Sequence, residues 1–182
     1  MRSFIYLSLL GVVLITIALV VRSGMLARKD PGRPINSAMR EALLNEGTPQ
    51  LSATDADIIR HKYPNAQHSR TGLLHVLRSP GSGEVPRVGD EVIANYDGRL
   101  LDGTPFDSSY TRGVPFTFRL GTGSVIKGWD EAFLTMRKGE KRTLIVPYWL
   151  AYGADGRPPP IPPRATLIFE VELIEIRPPP AR

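Results

Sequence analysis

Between Leu73 and Ile176 only one segment carries helical periodicity, and this limits the fold more than any other feature of the sequence. That segment is Gly128–Met136, where Trp129, Phe133 and Met136 fall at i, i+4 and i+7 and make one apolar face. Gly139 is expected to close it. The surrounding sequence reads as strands. Leu73–Leu77 precedes a turn at Ser79-Pro80-Gly81-Ser82-Gly83, and Asp90–Tyr96 leads through a bend at Asp97-Gly98 into Arg99–Leu101. Asp102-Gly103 is a hairpin signal. Phe116–Leu120 alternates apolar and polar residues as a half-buried strand does, and Lys141–Pro147 adds another strand. In Ala165–Ile176, Leu167, Phe169, Val171, Leu173 and Glu175 oppose Ile168, Glu170, Glu172, Ile174 and Ile176. The chain has 17 prolines and 17 glycines, which suit many short turns. One helix must then cover the apolar face of several strands, which predicts an α+β fold: an antiparallel sheet curled around a single short helix.

The N-terminal part has a different texture. Phe4–Val21 contains no charged residue, and a run of roughly 18 is about the minimum for crossing a bilayer as a helix. Met25 and Ala27 match a small-x-small cleavage site poorly, so residues 1–30 read as an uncleaved signal anchor, with a cleaved and secreted form as the alternative. Arg22, Arg28 and Lys29 on the far side of the run weaken any inference of orientation. Residues 31–70 read as a linker with two short helices. One is capped by Asn36 or Ser37 and runs over Ala38–Asn45; the other starts near Thr54 and Asp57 and ends before Pro64. With few large apolar side chains, this linker is expected to dock loosely or to act as a spacer.

Charge and composition exclude several function classes. The formal net charge is +5. Without residues 1–30 the chain carries 19 basic against 17 acidic residues, or +2, so the excess sits at the membrane end and not on a nucleic-acid-binding surface. The chain has no cysteine, which removes disulfides, thiolate catalysis and Cys-based zinc sites. His61 and His68 are seven apart with no third ligand nearby, and no metal site is expected. Gly121-Thr122-Gly123 begins like a dinucleotide fingerprint, but Ile126 stands where its third glycine belongs. No cofactor is expected. The remaining feature is a set of aromatic residues near loops, Tyr96, Phe106, Phe116, Trp129, Tyr148, Trp149, Tyr152 and Phe169. Such residues line an apolar pocket or fill a core. Composition alone leaves the chain undecided between a hydrophobic-ligand binder and an inert fold.

Specific motifs narrow the choice. The run Tyr96-Asp97-Gly98, then Leu101-Asp102-Gly103-Thr104-Pro105-Phe106-Asp107-Ser108-Ser109, continues with Arg112-Gly113-Val114-Pro115-Phe116 and Val125-Ile126-Lys127-Gly128-Trp129. Ala151-Tyr152-Gly153, Ile161-Pro162-Pro163 and Ala165–Leu173 follow in order. Over residues 71–177 this series resembles the FKBP-type peptidyl-prolyl cis–trans isomerase family, and Leu150–Gly153 resembles its bacterial, Mip-like branch. The resemblance implies a curved antiparallel sheet wrapped on one short helix, with an apolar pocket between them. It implies a pocket floor at Trp129 and walls from Tyr96, Phe106, Phe116, Val125, Ile126, Tyr152, Ile161 and Phe169, with Asp107 and Arg112 at the edge. Asp107, Tyr152 and Phe106 are the implied catalytic positions, and the Ile126 N–H and Tyr152 hydroxyl the implied donors to a prolyl ligand. Proline-containing polypeptides are the implied partners, and FK506- or rapamycin-like macrolides the implied inhibitors.

This sequence departs from the family pattern in the proline-rich run Pro158–Pro163, in Arg157, which replaces a histidine of some relatives, and in the bulky pair Tyr148-Trp149. The reading at this point is a membrane-tethered isomerase in a bacterial inner membrane, its domain periplasmic, assisting the folding of exported or membrane proteins. A chaperone-like proline-binding module and a structural subunit of a membrane assembly are the alternatives. Residues 178–182 read as a proline-rich tail.

Overall fold

The computed structural model describes residues 50–179. The expected membrane segment, the helix expected over Ala38–Asn45 and the last residues of the tail lie outside them. Among the described residues no helix is long and apolar enough to cross a membrane.

Among the described residues seven antiparallel strands form one sheet. They are β1 (Gln67–His68), β2 (Leu74–Ser79), β3 (Glu91–Leu100), β4 (Pro105–Ser108), β5 (Phe116–Arg119), β6 (Lys141–Val146) and β7 (Leu167–Arg177). Their order is β1-β2-β6-β7-β3-β4, and β5 also pairs with β3. The free edge of β3 is therefore shared. Its first half, Glu91–Ala94, pairs with β5, and Asp97–Arg99 pairs with β4. The bend expected at Asp97-Gly98 is not a break, because β3 runs continuously through it against β7. The short helix α2 (Ser109–Arg112) lies between β4 and β5.

One face of the sheet is covered by α3 (Lys127–Phe133), whose Trp129, Ala132 and Phe133 are buried among Val92, Ala94, Leu144, Val146 and Val171. The apolar face expected from Trp129, Phe133 and Met136 is all core. The helix ends at Phe133 with Leu134 as its cap, earlier than expected. Gly139, at φ +80°, instead serves the turn into β6, where a left-handed backbone is needed. Arg142 on β6 binds the buried Glu140 carboxylate at 2.5 Å and the Thr135 carbonyl at 3.0 Å. A carbonyl just past the helix end is thus satisfied without water.

The opposite face is covered as well. Helix α1 (Ala53–Lys62) is capped by Ser52, whose hydroxyl accepts the Asp55 N–H at 3.0 Å, and so it starts earlier than the signal read at Thr54 and Asp57. Its Ile59 packs with Leu74, Ile145 and Ile168. Thr166 donates to Asp55 at 2.8 Å, and Lys62 donates to the Leu101 carbonyl at 3.2 Å. The loose docking expected for this stretch is not what forms. A helix with one buried apolar residue is held because the sheet offers apolar side chains on both faces, which leaves Leu74, Ile145 and Ile168 to be covered from outside.

Strict alternation also fails once on β7. The register with β3 passes from Ile93↔Glu175 to Ala94↔Leu173, so Ile174 is an extra residue. Such a bulge exchanges the two faces beyond it, and Ile176 packs against the inner core where unbroken alternation would turn it outward.

If Ile59 joins α1 to the sheet, Ile59→Ala should cost about 2–3 kcal/mol, the low end for a buried isoleucine in a small cluster that can collapse. Urea unfolding of the full chain measures this. A change within error would mean that α1 is not part of the cooperative unit.

Candidate functional site: an aromatic cavity between β3, β4 and α3

The close approach of three rings begins with a missing side chain. Gly98 of β3 stands opposite Asp107 of β4 on one side and Phe169 of β7 on the other. A Cβ there would lie 2.8 Å from the Phe106 ring and 3.1 Å from that of Phe169. Without it, Phe106 and Phe169 meet edge to face with centroids 5.6 Å apart. Trp129, 4% exposed, lies beneath them, with Tyr96 at 5.0 Å, Phe169 at 5.3 Å and Phe116 at 5.9 Å between centroids. The Trp129 Nε1–H is buried and has no hydrogen-bond acceptor. Phe118 and Phe133 pack against the same indole.

These rings enclose a cavity of about 220 Å³. Tyr96, Phe106, Asp107, Phe116, Val125, Ile126, Trp129, Tyr152 and Phe169 all line it, joined by Ser124 and Arg157. Two residues expected at the site do not line it. Ile161 is buried in the core, and Arg112 acts through its neighbours. A larger hollow of about 580 Å³ lies between the β2–β3 loop and Ile176–Pro179. Its lining holds Glu84, Arg87, Asp90 and Lys138 and no aromatic ring, so the smaller cavity is the better receptacle for a flat apolar group.

The polar edge of the cavity is a closed triangle. Asp107 accepts from the Tyr96 hydroxyl through one oxygen and from Arg112 through the other. Arg112 also donates to the Tyr96 oxygen at 2.8 Å, and its guanidinium stands 5.3 Å from the centre of the Tyr96 ring. Burial, followed by the hydrogen bond to Asp107, pushes the Tyr96 phenol up to about 12. The hydrogen bond to Tyr96 raises Arg112 above its ordinary value. The side chains of Asp107 and Arg112 are 43% and 44% exposed, so the ion pair is worth little as a stabiliser. Its effect is positional: each Asp107 oxygen accepts a hydrogen bond, which fixes the carboxylate against Tyr96 and Arg112. Asp107 does not cap the helix that follows: α2 begins at Ser109, with Ser108 as its N-cap and no side-chain cap bond.

Three local devices were not legible in the motifs. The Ser109 hydroxyl accepts the Tyr96 N–H at 2.9 Å and donates to the Asn95 side chain at 3.0 Å. It bonds to β3 where the strand passes from one edge partner to the other, and it is only 1% exposed. Trp149, of the bulky pair noted in the sequence, donates its indole N–H to the Thr71 carbonyl at 2.8 Å, and Thr71 in turn donates to Glu131 of α3 at 2.6 Å. This fastens the turn that carries Tyr152 to the β1–β2 connection and to the helix. The third is the placing of Arg157, whose guanidinium lies 5.8 Å from the centre of the Tyr152 ring. Ile126 caps α3 in extended conformation, with its N–H unbonded among the described residues.

Comparisons with known proteins agree with this architecture. The model of the family described as FKBP-type peptidyl-prolyl cis-trans isomerase matches residues 83–174, half of the chain, and the chain belongs to that family. FKBP-type peptidyl-prolyl cis-trans isomerase FkpA of Escherichia coli strain K12 is 46% identical over 119 residues, covering 65% of this chain and 43% of that protein. Peptidyl-prolyl cis-trans isomerase FKBP2 of Homo sapiens is 57% identical over 90 residues, 50% of this chain and 63% of that protein. A crystal structure of FkpA from Escherichia coli matches with a TM-score of 0.64 and 37% identity, covering 94% of this chain and 73% of that one. The matched part of this chain thus spans less than half the length of the FkpA protein.

Two outcomes follow from this geometry. Gly98→Ala must displace Phe106 or Phe169, at a cost of about 1–3 kcal/mol for an overpacked site, and should weaken any ligand of the cavity; unchanged unfolding and unchanged affinity would contradict the contact. The raised Tyr96 phenol keeps its stabilisation in full below the ordinary value near pH 10 and loses it as pH rises through about 12. Asp107→Asn removes the charge that holds the proton and leaves Arg112, so Tyr96 should ionise at lower pH, as followed by phenolate absorbance. An unmoved titration would break the triangle as described.

Proposed function

We propose that this chain is a peptidyl-prolyl cis–trans isomerase acting in the Trp129-floored cavity, with Phe106, Asp107 and Tyr152 as the residues that hold and orient the rotating peptide. The observation that carries the reading is an aromatic cavity whose acidic residue, Asp107, has both oxygens committed to Tyr96 and Arg112. Such a site is built to hold and turn a group, and not to attack it. Rotation about an X–Pro bond meets a barrier of about 18–20 kcal/mol because the twisted amide loses its resonance. No bond breaks, so no nucleophile is needed. The twisted amide is also less charge-separated than the planar one, and an apolar enclosure favours it; this is differential binding of the transition state. A reduction of about 5 kcal/mol gives an acceleration of several thousand-fold. A cavity of about 220 Å³ suits one prolyl ring with its amide.

In this reading the proline ring lies on Trp129, and the Ile126 N–H and Tyr152 hydroxyl donate to the flanking carbonyls. Asp107 fixes Tyr96 and the cavity edge and transfers no proton. Val125, Phe116 and Phe169 exclude water; Ile161 supports the floor from the core; Arg112 holds Asp107 in place. The substrates are proline-containing segments of exported or membrane proteins, and FK506- or rapamycin-like macrolides compete for the cavity. The Leu150–Gly153 motif supports placement in the bacterial, Mip-like branch. The apolar run Phe4–Val21 supports tethering to the inner membrane, and the proposal puts the domain on its periplasmic side.

Exchange NMR on a short X–Pro peptide with the full chain tests the reading. Macrolide-sensitive acceleration is expected, falling at least about tenfold in Phe106→Ala and in Asp107→Ala, or about 1.4 kcal/mol of transition-state stabilisation. Macrolide binding without acceleration would leave a proline-binding module in place of an enzyme. Acceleration untouched by both substitutions would remove the assigned residues from catalysis.

A further inference from the structure

Of the two charged residues that line the cavity, only one is neutralised. Asp107 is paired with Arg112. Arg157 has no carboxylate within ion-pairing distance among the described residues. Asp155, two residues before it, makes no ion pair with it, and Asp130 is turned to the Gly121 and Gly123 N–H groups at 2.8 and 3.2 Å. Lys127, which follows the wall residue Ile126, is a further exposed cation without an ion pair among the described residues.

Arg157 is also held in place. Its N–H donates to the Ile161 carbonyl at 2.8 Å and its carbonyl accepts the Ile161 N–H at 3.1 Å, closing a small hairpin over three prolines. Gly156 enters that hairpin at φ +70°, and a Cβ there would lie 2.3 Å from the Pro162 carbonyl oxygen, so the entry admits only glycine. With the backbone pinned and the guanidinium beside the Tyr152 ring, the charge is presented at the cavity mouth. Consecutive Cα atoms lie about 3.8 Å apart. A residue adjacent to a proline seated on Trp129 is therefore within reach of a charge at this mouth.

We propose that Arg157 is a specificity-determining residue that makes the cavity prefer prolines flanked directly by glutamate or aspartate. The preference rests on the isomerase reading for its substrate class, but it is a statement about charge and is separable from turnover. An exposed ion pair is weak and screened by salt, so the effect is a modest bias among proline sites and not an absolute filter.

The test uses the full chain and two peptide series, with glutamate, leucine or lysine directly before the proline in one and directly after it in the other. The readout is the ratio of kcat/KM for the glutamate and lysine peptides, not the absolute rate. In at least one series the wild type should favour glutamate by about five- to tenfold at low salt. The ratio should shrink toward one near 1 M salt, where the Debye length is about 3 Å. Arg157→Gln should abolish it, Arg157→Glu reverse it and Arg157→Lys retain it. A ratio near one in the wild type in both series, or a ratio that survives Arg157→Gln, overturns the proposal. If the wild type accelerates no peptide, the isomerase reading fails instead. Calorimetric affinities for the same glutamate and lysine peptides then decide the charge preference by the same ratio.

Discussion

The site depends on how closely α3 can approach the sheet, and Gly128 sets that distance. A Cβ at Gly128 would stand 2.6 Å from a methyl group of Val146 on β6. Any side chain would lift the helix off the strand by enough to matter. With glycine there, the next residue, Trp129, is driven into the inner face and becomes a floor against which Tyr96, Phe116 and Phe169 lean at fixed angles. The glycine costs helix propensity in a seven-residue helix that is weak in isolation. Tertiary packing overrides that cost, as Phe133 and Met136 are fully buried beneath the sheet.

Much of this was legible. One helix with an apolar face among strands with short turns gave the layer arrangement, since few architectures bury such a set. The strand positions of Phe116 and Phe169 followed from alternation and that of Tyr96 from its strand run, while the cavity they share was implied by the resemblance to the FKBP family. What was not legible depends on contacts between distant residues. The bulge at Ile174 has no local signature, and its effect on Ile176 appears only when β3 and β7 are paired. Ser109 reads as a turn residue until it is seen bonded to the β3 backbone at Tyr96. Helix α1 has too few apolar residues to announce a packing role, because the demand for cover comes from Leu74, Ile145 and Ile168 on other strands.

The electrostatics of the cavity divide between two sides. On one side Asp107, Tyr96 and Arg112 satisfy one another and hold shape. On the other side, Arg157 leaves its charge free toward whatever occupies the mouth. A site whose chemistry is only rotation has no need of reactive charge at its centre, so charge at its margin is free to vary without cost to the aromatic floor.

The divided edge of β3 bears on how such a cavity admits a chain at all. The wall formed by β4, α2 and β5 is fastened to β3 along one edge, while β7 holds the opposite edge through pairs running from Glu91↔Arg177 to Leu100↔Leu167. Detaching the wall therefore leaves the long β3–β7 ladder zipped. The wall is held to β3 by two short ladders and by the Ser109 hydroxyl, against ten paired positions between β3 and β7. Phe118 of that wall packs on the Trp129 indole, so a wall displaced to widen the cavity would also loosen its floor.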